Sequence, residues 1–172
     1  KLDFTWFEAP LPDYDFVGYK EITSSVGIKV IPSGNWVVDL QRFSEAINNK
    51  IWSATRTDMA MIGGITNGKK AMDLSAAGGL DCEIMSWGYT LVSVANLHLM
   101  LSSNNCTYYE QPLPYETFEF GMKDVLRTSK DGYMYAPTKP GLGMEINWEQ
   151  MKTKVIHSFL CNTKKQIGNV HG

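Results

Sequence analysis

The chain has 172 residues, 44% hydrophobic and 20% charged, with a formal net charge of -2. That is enough apolar material for one globular unit with a sizeable core. The near-neutral balance argues against a nucleic-acid or membrane partner, where a basic excess is expected, and no apolar run approaches the roughly 20 residues of a membrane span.

Short apolar stretches, each ending in a polar residue and followed by a helix-like segment, set the rhythm of the chain. The first residues already read as a strand, Phe4-Thr5-Trp6-Phe7 running into Glu8, with no leader or signal-peptide pattern ahead of it. Leu11-Pro12-Asp13 breaks the chain, and Asp13 or Asp15 caps a helix over roughly 14–25. A second strand at about 28–33 runs into Gly34-Asn35 and is followed by a helix near 38–49. There Leu40, Phe43, Ala46 and Ile47 fall on one stripe. The third strand covers about 52–57. Ile62-Gly63-Gly64-Ile65-Thr66 then turns into a helix near 67–77, which Gly78-Gly79 stops.

The fourth strand is about 81–86, and the helix after it, Leu91 to Leu101, is apolar nearly all round and so expected to be buried. The fifth strand is about 106–110. Beyond Pro112 the alternation gives way to prolines and glycines, which indicate an extended tail. A short helix is expected within about 149–172, before a polar end that frays. The division is therefore strands and helices over 1–112 and a tail over 113–172.

Cys82, Cys106 and Cys161 lie far apart without C-x-x-C spacing and read as reduced thiols of a cytoplasmic protein. Asn105-Cys106-Thr107 matches a glycosylation acceptor by chance, and the nine methionines read as core filler.

Strands alternating with helices imply a parallel α/β sheet, and in parallel barrels the strands' C-terminal ends gather around one site. Five strands do not close such a barrel, which needs eight. The chain is either a smaller open sheet or the later part of a larger barrel, and its start inside a strand favours the second.

Specific residues then point to a family. Trp6-Phe7-Glu8-Ala9-Pro10-Leu11 resembles the W-x-E-E-P-L segment ending the fourth barrel strand of the mandelate racemase-like group of the enolase superfamily. Arg56-Thr57-Asp58 with Ile62-Gly63-Gly64-Ile65-Thr66 is similar to that group's Q-P-D…G-G-I-T sixth strand and turn. Tyr109-Glu110-Gln111-Pro112 sits where the eighth strand ends, and Asp131-Gly132-Tyr133 with Pro140-Gly141-Leu142-Gly143-Met144-Glu145 resembles the tail after it. The resemblance is collinear over about 1–150. It implies strands four to eight of a (β/α)7β TIM-like barrel, with an N-terminal capping domain and the first barrel strands expected in the full-length protein. It also implies a homo-oligomer.

Such enzymes take a proton from the carbon next to a carboxylate, which is too weakly acidic unless the resulting dianionic enediolate is stabilised. The resemblance implies Mg2+ for that task. By residue-by-residue match, Glu8 is the strand-four metal ligand, its alternative being a surface carboxylate at a strand end. Strand five departs from the pattern, with Gly34-Asn35 where the family has a Glu followed by Asn. Asn35 either replaces that glutamate as a ligand or is a turn asparagine beside glycine.

Asp58 matches the strand-six acid, but Met85 stands where a strand-seven His would pair with it. His98, His157 and His171 end no strand, so the His–Asp base is excluded. Asp58 and Glu110 are the candidate catalytic residues, Glu110 assisting an enolate oxygen. Arg56, Met85 and Trp87 are the candidate substrate-binding residues. Arg56 either meets substrate or forms an ion pair with Glu8, Asp58 or, deeper in the barrel, Glu83. Trp87 packs on substrate or covers the core.

The function these residues imply is a Mg2+-dependent lyase that dehydrates an acid sugar, resembling the galactarate dehydratase type, with its base on the unseen second strand. A racemase or epimerase of a 2-hydroxy acid needs a second base, and this half offers none. A catalytically inactive family member is the third reading, raised by Gly34 and Met85.

Overall fold

The first two helices begin where the sequence offers a side-chain acceptor for their free N–H groups. The structure, a computed structural model, describes residues 2–162 and 165–167. Helix α1 spans Phe16–Ser25, and its cap is Asp15, which accepts from Gly18 N at 2.9 Å. Asp13, the other candidate cap, is used elsewhere. Helix α2, Leu40–Asn48, is capped by Asp39, which accepts from Arg42 N at 2.8 Å. Helix α3, Ile65–Ala77, starts two residues earlier than its pattern predicts, directly after Gly64, and ends at Gly78. Helix α4 spans Thr90–Leu101.

The strands are shorter than their apolar runs: β1 is Trp6–Glu8, β2 Lys29–Ile31, β3 Thr55–Thr57 and β4 Cys82–Ile84. β1 and β2 are parallel with Glu8 opposite Ile31, and β3 and β4 are parallel with Arg56 opposite Glu83. Just before β3, Ser53 joins the two pairs. Its N–H donates to Val30 O at 2.9 Å, and its hydroxyl accepts from Val30 N at 3.0 Å.

The expected fifth strand forms no ladder. Residues 106–110 run beside β4, but the buried Glu83 carboxylate takes the N–H groups of Thr107 and Tyr108 at 3.3 and 3.2 Å. A side chain thus replaces the carbonyls a paired strand would supply. Only Cys82 N to Asn105 O, at 2.7 Å, keeps a backbone link at the start of this segment. The Asn105 amide is itself spent on packing, donating to Met72 O and Leu80 O at 3.1 and 3.2 Å.

The core lies between the parallel strands and the helices, built on Tyr19, Val30, Phe43, Trp52, Met72, Ile84 and Leu99. Phe16, Tyr19 and Phe43 all meet the Trp52 ring edge-on. Each fully buried side chain of this size contributes roughly 2–3 kcal/mol. Helix α4 is apolar all round because it is covered twice. Leu99 and Met100 join the main core, while Val94 and Leu97 pack under Leu126, Met134, Leu142 and Met144 of the tail.

The tail is not wholly extended. It carries α5 (Tyr115–Phe118), which the sequence did not suggest, and α6 (Trp148–Lys152), close to the expected short helix. An antiparallel hairpin, β5 (Leu160–Asn162) with β6 (Lys165–Ile167), stands where fraying was expected. Lys164 and His171 lie outside the described residues. Among the described residues no helix is long and apolar enough to cross a membrane.

Candidate active site

The end of β1, the loop after β2 and the 106–110 segment meet at one guanidinium on β3. The Arg56 side chain is 2% exposed, and its Nη2 pairs with Glu110 and lies 3.6 Å from Glu8 Oε1. Its Nε donates to Ser33 O at 3.2 Å. A cation this buried must be held on several sides, because burying it unpaired costs several kcal/mol. Of the partners weighed from sequence, the structure uses Glu8 and adds Glu110. Asp58 and Glu83 are not among them, since Glu83, although opposite Arg56 on the sheet, is turned to the 106–108 backbone.

Gly34 makes this approach possible. Its φ is +83°, and a Cβ there would stand 2.9 Å from Arg56 Cγ. The space that a glutamate would need in the resembled pattern is filled here by the arginine stem. Asn35 follows, half-buried, its N–H donating to Ser33 Oγ at 3.3 Å. Its side-chain amide makes no hydrogen bond among the described residues.

Glu8 closes β1, and the chain turns away sharply at Ala9, whose φ of 47° lies in the left-handed region. Such a residue costs on the order of 1 kcal/mol, and Ala9 N to Ile31 O at 3.0 Å helps to hold it. The Glu8 side chain is 39% exposed, with Trp6 Nε1 donating to its Oε2 at 3.3 Å.

Glu110 is fixed through its backbone by Ser86, a residue that sequence reasoning did not single out. Glu110 N donates to Ser86 Oγ at 2.6 Å, and Ser93 Oγ donates to Ser86 O at 2.8 Å. With Oε1 on Arg56, the buried Oε2 of Glu110 has no hydrogen-bond partner among the described residues.

Asp58 is buried one residue past β3, and Asn96 of α4 governs it. Asn96 Nδ2 donates to Asp58 Oδ1 at 2.8 Å and to Met85 O at 3.1 Å, while its Oδ1 accepts from Met59 N at 3.0 Å. Met85 therefore sits at the matching end of β4, tied to β3 through its own N–H on Thr57 O at 2.8 Å. Trp87 is 53% exposed and packs edge-on against Phe118 of α5, 5.0 Å between ring centres.

Asp13 completes the surroundings. Nearly fully buried, it accepts from Ser33 N and Ser33 Oγ, both at 2.8 Å, while Tyr19 OH, which donates to Leu11 O at 2.7 Å, lies 3.4 Å from it. Burial, with Asp13 alongside, pushes the Tyr19 phenol well up, so it stays a neutral donor.

Magnesium takes hard oxygen ligands and usually only one or two protein carboxylates, the rest being substrate and water. Among the described residues no three His, Cys, Asp or Glu side chains form a metal-binding group. Glu8 and the free amide oxygen of Asn35 nevertheless have suitable chemistry, and the unpartnered Glu110 Oε2 leaves an acceptor for a bound water or hydroxyl. In ligand chemistry, hard oxygens with few carboxylates, these residues fit the ion.

Known proteins match this chain in sequence and fold. The family described as Enolase C-terminal domain-like matches residues 1–151. The D-galactonate dehydratase family member RspA of Pantoea ananatis is 33% identical over 122 residues, covering 68% of this chain and 28% of that protein. A Pseudovibrio structure provisionally classed as a mandelate racemase/muconate lactonizing enzyme superposes with a TM-score of 0.85 at 39% identity, over 87% of this chain and 40% of that one. D-glucarate dehydratase from Agrobacterium tumefaciens, complexed with magnesium, gives 0.77 at 28% identity, over 87% and 39%. The chain thus spans well under half the length of these relatives. It belongs to the Enolase C-terminal domain-like family of the enolase superfamily, mandelate racemase-like, and its fold is the later half of a (β/α)7β TIM-like barrel.

Proposed function

We propose that the whole protein is a Mg2+-dependent acid-sugar dehydratase, removing the proton next to a carboxylate and eliminating the neighbouring hydroxyl to give a keto acid. The observation that carries this is the buried Arg56 held between Glu8 and Glu110, with Glu110 Oε2 left without a partner at the strand ends. Relatives named as D-galactonate dehydratase family members, and a glucarate dehydratase neighbour, support it.

Glu8 and Asn35 would hold the magnesium ion, which supplies the positive charge that makes a C–H beside a carboxylate acidic enough to lose its proton. Arg56 orients an anionic substrate oxygen, and Glu110 Oε2 exchanges a hydrogen bond with a substrate hydroxyl. Asp58, bonded to Asn96, holds the loops after β3 and β4 so that Met85 and Trp87 line the opening. The base belongs to the part of the barrel that precedes this chain. We further read the protein as a cytoplasmic homo-oligomer with an N-terminal capping domain.

A racemase or epimerase is the second reading, favoured by the racemase class of the Pseudovibrio neighbour. One assay separates the readings. The full-length protein is incubated with Mg2+ and a panel of acid sugars in D2O. A dehydratase gives keto acid, whereas a racemase gives deuterated epimer without loss of water. An inactive member gives neither. Glu8→Gln is expected to abolish turnover, and unchanged activity would refute its metal role.

A further inference from the structure

The Arg56 guanidinium is not aimed by its carboxylate partners alone. Its Nε is tied to Ser33 O at 3.2 Å, and Ser33 lies on the loop after β2, two residues before Asn35. That loop has no ladder to hold it, since β2 ends at Ile31. What holds it is Asp13, in the loop after β1, which accepts from both the N–H and the hydroxyl of Ser33. The same hydroxyl accepts from Asn35 N at 3.3 Å. A buried carboxylate held by two donors from one residue is rigid, because losing either of them leaves a charge short of its hydrogen bonds.

We propose that Asp13 is the positioning residue of this site: by fixing the Ser33 backbone it aims Arg56 at Glu8 and Glu110 and sets where Asn35 stands. This rests on the reading of Arg56 as part of the substrate site. Among the described residues Asp13 hydrogen-bonds to none of the candidate catalytic or metal-binding side chains, so its effect passes through Ser33.

The test is a mutant cycle in the full-length protein, measured well below each variant's unfolding transition. Asp13→Ala should lower kcat about tenfold with KM changed less than about threefold, since misplacing a reacting group by an ångström is costly. Asp13→Asn, whose amide can still accept from Ser33 N and donate to the rotated hydroxyl, should restore kcat to within about threefold of wild type. Arg56→Lys keeps the charge but lacks the Nε donor. Adding Asp13→Ala to it should therefore change kcat by less than about twofold, the sign of a shared path. Losses that multiply would show that Asp13 acts only on general stability and would overturn the proposal. If Asp13→Ala does not fold, Ser33→Ala, which removes one of the two contacts, is carried through the same cycle.

If the wild-type protein turns over no acid sugar, the dehydratase reading fails and a crystal structure of the Asp13 variant decides. Arg56 Nε out of reach of Ser33 O supports the positioning role, and an unchanged contact overturns it.

Discussion

Gly34 is the residue at which the sequence departs furthest from the pattern it resembles, and the structure gives the departure a cause. The backbone takes a positive φ there, and the Arg56 stem passes within 2.9 Å of where a Cβ would stand. Gly34→Ala should therefore cost about 1–2 kcal/mol, from the left-handed backbone and the close contact together. It should also lower activity by displacing Arg56. Thermal unfolding and kcat, measured on the same preparations, check the two effects. Gly34→Glu should be worse on both counts, because the arginine holds the space that a restored ligand would need.

A second prediction at this scale concerns the thiols. Burial pushes Cys82 from an ordinary value of 9.0 up to about 11, and Cys106 up to about 12. Their folded values are raised, so the stability they contribute is complete below about 9 and is lost as pH climbs through the folded values. Denaturant midpoints should hold steady up to that point and then fall between about pH 9 and 12. Both thiols should resist alkylation in the native protein at neutral pH and react once it is unfolded.

Among the elements, what could be read from sequence was whatever depends on local chemistry. Asp15 and Asp39 cap helices because a short carboxylate beside a free N–H is a local event, and the Leu40–Ile47 stripe needs only helical spacing. The fifth strand was misread because its pairing is decided by Glu83, a residue more than twenty positions earlier that intercepts its N–H groups. Of the candidate site, Glu8, Arg56 and Glu110 were legible as strand-end residues, but their mutual pairing was not. Ser86 and Asn96 gave no signal and Asp13 read only as a helix cap, because a buried polar side chain is recognised by the partners that the fold brings to it.

Asn96 shows what such a residue carries. Fully buried in an apolar helix, it makes three hydrogen bonds that tie the loop after β3 to the end of β4. Asn96→Leu keeps the volume but strips a partner from the buried Asp58 and leaves Met59 N and Met85 O unpaired. It should destabilise the protein by about 2–4 kcal/mol. A loss below 1 kcal/mol in denaturant titrations would mean that water replaces all three contacts.

At the scale of the molecule, the parallel array has two open sides. Among the described residues β1 pairs only with β2, and residues 106–110 face β4 on one side alone. Leu2, Phe4 and Phe7 beside the first edge and Tyr108 beside the second are exposed. Unpaired strand edges flanked by apolar side chains template association with other chains. In a complete barrel the strands preceding this segment would cover both edges at once. The 172 residues expressed alone should therefore bind a hydrophobic dye such as ANS and sediment as species heavier than the 19.3 kDa monomer. Co-expression with the preceding part of the full-length protein should suppress both behaviours, since one partner would pair both edges. A dye-silent monomer with a sharp unfolding transition would show instead that the contact already bridging the two edges, Trp6 edge-on to Tyr108 with 5.0 Å between ring centres, seals the half-barrel without a partner.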